Sequence, residues 1–303
     1  MNQPRQIAFG YSTRCNIKCA HCVAADGSPG IDKMDFNRAK ETIEEMARAH
    51  VTGISFTAGE PLIFSDDICG LIQVCGQNRI YSRVVTNGFW ANTADQADKM
   101  LSKLKQSGLS QLRISTSRWH QENVNSSNIV YAAAACAKHG LDYFVSFVTD
   151  FSDTDDAVEQ FLQDNKLRYF PEPVIYFGRA QSFERKRIFT DFYPNLCYMN
   201  AYISPNQDMY ACCDAGNRFS ETGFLYLGNL EKESADELFI KKEQHRLYNM
   251  IRTTGLTRMA SYLGYKASEI VRYRKCELCE MLFNSKKNLE KLEHGMDNLM
   301  NIS

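Results

Sequence analysis

The order of short strand-like and helix-like segments restricts the fold of this chain more than any other feature. Residues 6–12, 51–57 (VTGISFT), 80–86 (IYSRVVT), 112–115, 142–148 and 174–177 read as strands, rich in β-branched and aromatic side chains. After the first of these, Phe36, Ala39, Ile43, Met46 and Ala47 recur at helical spacing. Residues 66–75, 94–106, 128–139 and 155–163 fill the later gaps in the same way. Such alternation implies parallel strands joined by right-handed crossovers. Six units fall short of a closed eight-stranded barrel, so the expected fold is α/β, a partial (β/α)6 barrel. Chemistry in folds of this kind gathers at the C-terminal ends of the strands, and those ends are where functional residues are sought.

Past about residue 180 the pattern changes. Residues 186–206 are aromatic-rich and irregular, with Pro194 and Pro205. Residues 234–252 and 255–274 read as helices, and 285–300 as a polar terminal helix. The expected division is a barrel over 1–185 and a small domain over 186–303. A chain of 303 residues suffices for both. Its net charge of -1 lacks the basic excess of a nucleic-acid binder. The N-terminus MNQPRQIAFGYS has no apolar run of signal-peptide length, and no later stretch reaches a membrane span. A cytoplasmic protein with no nucleic-acid or membrane partner is expected. The first strand starts almost at once, so no separate N-terminal recognition domain is expected either.

Eleven cysteines need a reason. Cytosolic thiols stay reduced, which favours metal binding or catalysis over a disulfide framework. Cys69, Cys75 and Cys136 fall inside helix-like segments and read as small core residues. Cys15, Cys19 and Cys22 follow the first strand in a Cys-x3-Cys-x2-Cys loop. Three thiolates hold three irons of a [4Fe–4S] cube and leave the fourth iron open. A zinc site wants four ligands. Cys197, Cys212, Cys276 and Cys279 number four, which suits a second, fully ligated cluster or a structural zinc. Cys213 is left over, either as a hydrogen donor or as a buried cysteine without chemistry.

The loop STRCNIKCAHC resembles the signature of the radical S-adenosylmethionine (AdoMet) superfamily. In that family the open iron binds the amino and carboxylate groups of AdoMet, and reductive cleavage yields a 5′-deoxyadenosyl radical. The resemblance implies a [4Fe–4S] cluster on Cys15, Cys19 and Cys22, with AdoMet beside it and His21 near the adenine. Thr57-Ala58-Gly59-Glu60-Pro61 resembles the family's Gly-Gly-Glu-Pro motif, which implies that Gly59 and Glu60 engage the AdoMet amino group. Ala58 in place of the first glycine suggests a backbone outside the left-handed region there. Thr86-Asn87-Gly88 resembles a strand end found near the ribose, implying a role for Asn87. The fourth strand matches the family's Ser-x-Asp at Ser115, whereas Ser117 replaces the acid. This likeness spans residues 5–180.

The late cysteines resemble an abbreviated SPASM or twitch domain, implying one auxiliary [4Fe–4S] cluster on Cys197, Cys212, Cys276 and Cys279. Where that module often has a glycine five residues before its second cysteine, this chain has Gln207, beside Asn206. The runs Ile54–Glu60 (ISFTAGE), 86–90 (TNGFW), 209–213 (MYACC) and 276–285 (CELCEMLFNS) look like those of the YydG-type epipeptide epimerases. That resemblance makes Cys212 a cluster ligand and Cys213 the hydrogen donor, and it places His120 of Trp119-His120 near the substrate. The implied activity is L-to-D epimerisation of a ribosomally made peptide. The implied partners are a precursor peptide and a flavodoxin- or ferredoxin-type reductant. The alternatives are thioether or carbon–carbon cross-linking of a peptide, and oxidation or epimerisation of a sugar-like aminoglycoside. A non-catalytic redox relay is argued against by the intact cysteine loop together with Glu60.

Overall fold

A computed structural model describes residues 4–23, 33–184, 195–213 and 223–300 of the chain, with only the backbone of 296–300. The first part contains β1 (Arg5–Gly10), α1 (Phe36–Arg48), β2 (Val51–Thr57), α2 (Ser65–Gln77), β3 (Tyr81–Thr86), α3 (Ala94–Gln106) and β4 (Gln111–Thr116). It continues with α4 (Arg118–Gln121), α5 (Ser127–Lys138), β5 (Asp142–Thr149), α6 (Asp156–Asp164) and β6 (Tyr169–Pro173). Strands β1 to β6 pair in parallel and in sequence order, as expected of a partial (β/α)6 barrel.

The two-residue period of the strands separates core from cavity. Ile54, Phe56, Val84, Leu112, Ile114, Val145 and Phe147 are fully buried in the main core, which they share with residues of α1, α2, α3 and α5. The alternate residues Ala8, Ser55, Thr57, Arg83, Val85, Arg113 and Ser115 line a cavity of about 440 Å³ on the opposite face. The interior is therefore polar and open where a closed barrel is filled with branched apolar side chains.

The sixth strand lies five residues earlier than expected. Pro171 and Pro173 disguise it, because proline suits only an edge position. Strand β6 is such an edge, pairing with β5 alone among the described residues. Val174, Tyr176 and Phe177 read as a strand because they are apolar. Val174 and Tyr176 instead form a small core with Cys19, Trp119 and Ala180, beneath the cysteine loop. Phe177 is buried as well.

The later part is built onto the same sheet. Strand β7 (Ala201–Ile203) pairs in parallel with the free side of β1, and β8 (Asp208–Tyr210) and β9 (Tyr226–Asn229) follow antiparallel. Residues 234–252 form not one helix but two, α7 (Ala235–Gln244) and α8 (Arg246–Thr253), broken where His245 is extended. Residues 255–274 likewise divide into α9 (Leu256–Leu263) and α10 (Ala267–Ile270), because Gly264 ends α9 in a left-handed cap (φ 98°). Then come α11 (Lys275–Phe283), which carries Cys276 and Cys279, and α12 (Lys286–Met300). Arg5 ties β1 to α7 through Asp236 (2.9 Å) and Glu243 (2.7 Å). No described helix is long and apolar enough to cross a membrane.

Candidate cofactor and radical site

All eleven cysteines are described and none is disulfide-bonded. Cys69, Cys75 and Cys136 are buried in the helical core as expected. Cys15, Cys19 and Cys22 follow β1 and line one cavity of about 390 Å³, together with Gly59, Glu60, Asn87, Ser115 and His21. The loop is held from outside. The Arg14 carbonyl accepts from the Glu60 amide (2.7 Å), and the Cys22 carbonyl accepts from the Arg179 amide (3.1 Å). Burial raises the Cys15 thiol above its ordinary range and pushes Cys19 to about 12; Cys22 adds to both and Arg179 opposes. Crowded, half-desolvated thiols of this kind ionise when a metal supplies the missing positive charge. The donor set thus fits three irons of a cube, with a polar cavity beside the open position.

The end of β2 corrects one expectation. Ala58 is left-handed (φ 69°), and so is Gly59 (φ 56°). A side chain on Gly59 would strike the Arg14 backbone, so glycine is required where the turn meets the cysteine loop. Glu60 is buried and joins the ends of β2 and β3. Its Oε1 accepts from Leu62 N (3.1 Å) and Thr86 Oγ1 (2.8 Å), and its Oε2 accepts from Asn87 N (2.7 Å). Burial lifts its pKa to about 7 against these three bonds. Asn87 turns its amide toward the loop, donating to Asn16 Oδ1 (3.0 Å) with Cys15 Sγ at 4.0 Å.

His21 lines both cavities. Its ring lies 4.9 Å from that of Trp119 and 4.7 Å from that of His120. Burial, helped by Arg179 and Arg118, lowers its pKa to about 4. Its Nδ1 is buried without a hydrogen bond. One ligand atom each from Cys19, His21 and His120 lies within 4.8 Å of the other two. Ser117, which replaces the expected acid, caps α4 and meets His120 Nδ1 at 2.7 Å. It therefore positions His120 from a fully buried site.

Arg179 escaped the sequence reading. It lines the cofactor cavity, and its Nε is buried without a hydrogen bond. A signal was present in Gly178, left-handed (φ 55°) and packed where a Cβ would come within 2.6 Å of the Cys22 carbonyl.

The late cysteines turn two ways. Cys213 lines the 440 Å³ cavity along with Ala58, Gly59, His21 and Cys22. Its neighbour Cys212 acts on groups of α7 and α8 instead. Burial draws the Lys242 ammonium below its usual range, while Cys197 and Cys212 pull the other way. Burial raises the Tyr248 hydroxyl, with Cys279 and Cys212 adding. Cys276 lies one helical turn from Cys279 on α11. Cys197 N donates to the Ile251 carbonyl of α8 (3.4 Å). The turn five residues before Cys212 is left-handed at Gln207 itself (φ 66°). Gln207 is buried, and its Oε1 accepts from Thr42 Oγ1 (3.0 Å).

Comparison with known proteins agrees with this geometry. The model of the radical SAM superfamily matches residues 10–164. A putative peptide biosynthesis protein, YydG of Bacillus subtilis (strain 168), is 23% identical over 320 residues, covering 98% of both chains. The structure of native anSMEcpe with bound AdoMet and Cp18Cys peptide aligns with a TM-score of 0.61 at 13% identity, covering 99% of each chain. That of BtrN in complex with AdoMet and 2-DOIA aligns at 0.55 and 15% identity, covering 84% of this chain and 89% of the other. The two structures bear on the fold alone. The family match runs across the strands that carry the cysteine loop and the Gly59-Glu60 turn, and this chain belongs to the radical SAM superfamily, which works with a [4Fe–4S] cluster and AdoMet.

Proposed function

We propose that the protein epimerises a residue of a ribosomally made peptide from L to D, with Cys213 as the hydrogen donor. The observation that carries this reading is that Cys213 opens into the same cavity as Ala58, Gly59, His21 and Cys22. Peptide as the substrate class is supported by YydG, named for peptide biosynthesis.

Cys15, Cys19 and Cys22 would hold the cluster that binds AdoMet, which on one-electron reduction would supply a radical that takes the Cα hydrogen and leaves as 5′-deoxyadenosine. Gly59, Glu60, Asn87 and Ser115 line the 390 Å³ cavity of the cysteine loop, and His21 and Cys22 line both it and the cavity that Cys213 enters. The substrate is left as a planar Cα radical, open on both faces. The Cys213 S–H bond breaks, its hydrogen atom forms the new Cα–H bond from the other face, and a thiyl radical remains on sulfur. One electron and one proton from an external reductant restore the thiol. Epimerisation requires that abstraction and return come from opposite faces of the Cα radical. Cys197, Cys212, Cys276 and Cys279 would hold an auxiliary [4Fe–4S] cluster behind Cys213.

The test is turnover in deuterated water of the peptide encoded beside the gene, by the anaerobically reconstituted enzyme. One deuterium at Cα and a D-residue on chiral hydrolysis are expected. Cys213→Ala should keep its iron and still cleave AdoMet, yet form no D-residue. A product lighter by two hydrogens would replace this reading with cross-linking. D-residues made by the Cys213→Ala enzyme would remove the donor assignment.

A further inference from the structure

The floor of the cavity is chemically lopsided. On β1 and β2 its lining includes the small residues Ala8, Gly53 and Ser55 beside uncharged Gln6 and Thr57. On β3 and β4 it carries Arg83 and Arg113. Both are half-buried, and a guanidinium partly withdrawn from water is best answered by an anion. Arg113 pairs with Glu172 and donates to Ser146 Oγ (3.0 Å), yet its Nε is buried without a hydrogen bond. Arg83 donates through Nε to Gln111 Oε1 (2.6 Å) and makes no ion pair among the described residues. Both guanidinium carbons lie over the Phe144 ring, at 5.7 Å and 5.8 Å from its centre. Two cations thus converge on one ring, and among the described residues only Glu172 forms an ion pair with either.

These arginines are also held in place. Gln111 donates onward to Asp142, which accepts from Arg168 (2.5 Å), so the Arg83 fork is braced from behind. A braced, planar fork matches a carboxylate better than any other anion of peptide chemistry. Arg113 lies two residues below Ser115 on β4, a drop of roughly 7 Å from the level of the cofactor cavity. That is about the span of two residues of extended peptide.

We propose that Arg83 and Arg113 form a carboxylate-recognition site for the substrate, anchoring an acidic group one or two residues from the carbon that reacts. This rests on the peptide reading above. The carboxylate is an Asp or Glu side chain or the peptide's C-terminus.

The test measures binding, so it is independent of whether a D-residue is ever formed. The reconstituted full chain with AdoMet is titrated calorimetrically with three peptides. These are Ac-Ala-Ala-Glu-Ala-Ala-NH2, the same peptide with Gln for Glu, and the Gln peptide with a free C-terminus. At least tenfold tighter binding of one carboxylate peptide over the blocked Gln peptide is expected. Preference for the first identifies a side-chain carboxylate, and preference for the third a terminal one. Arg83→Gln should bring the ratio close to one with iron content and circular dichroism unchanged. Arg83→Lys, which keeps the charge but not the fork, should recover part of it. Equal binding of all three, no binding of any, or a ratio untouched by Arg83→Gln overturns the proposal.

Discussion

Two adjacent left-handed residues, Ala58 and Gly59, set the cofactor end of β2. They aim the Glu60 amide at the carbonyl of Arg14, the residue before the first cysteine. Gly59→Ala should therefore do more than strain the turn by about 1–2 kcal/mol. It should push the cysteine loop away, and iron per chain after reconstitution should fall with it. Ala58→Gly should act the other way. Relief of about 1 kcal/mol at a left-handed alanine, less the freedom glycine adds to the unfolded chain, leaves a gain of about 0.5 kcal/mol in urea denaturation. The sequence marked this turn by its glycine and glutamate but misjudged Ala58. Alanine has little preference for the left-handed region, and the contact that enforces it comes from a loop far away along the chain. Arg179, Arg83 and Arg113 were silent for the same reason, since only folding brings them to a cavity.

At the scale of elements, α4 shows how a four-residue helix is made rigid. Ser117 caps it, and Arg118 bonds Asp150 (2.7 Å and 3.1 Å), just past β5, and Asp155, just before α6. The helix thereby fixes Trp119 and His120 against His21. Burial alone would raise the Asp150 carboxyl, but Arg118 and Ser152 overcome it and hold it well below the usual range. A depressed carboxyl contributes stability above its unfolded value near 4 and loses it as pH falls further. Asp150→Asn should cost about 2 kcal/mol at neutral pH and nearly nothing at the acid end, as thermal melts across pH would reveal. Of the elements themselves, the first five strands and the long helices between them were legible from residue type and period, whereas the four-residue α4 was not. Strand β6 was hidden by its prolines, and the broken helices of the later part by single residues, His245 and Gly264, whose backbone departs from helix.

For the whole molecule, the parallel pairing of β7 with β1 matters most. The cluster of Ala8, Tyr202 and Tyr210 straddles this seam, and Arg274 reaches from the base of α11 to the carbonyls of Pro173 and Val174 (3.1 Å to the latter). A chain ending at residue 185 would uncover one side of β1 and the apolar face beneath it. Such a truncation should be recovered mainly as insoluble protein, whereas a soluble fragment with native-like circular dichroism would mean that the two parts fold separately. Nothing in the first part announces this seam, because β7 is three residues long and its partner is remote in sequence.

Edge strand β6 has a further consequence. Val174 N donates to the Thr149 carbonyl, so by alternation residues 169, 171 and 173 point away from β5, and the last two are proline. The rim there offers carbonyls but no donors at those two positions. A second copy, or a passing extended chain, finds no continuous ladder to extend. The barrel can thus remain ajar for a long, flexible guest without being zipped shut by its own kind, even in a crowded cell.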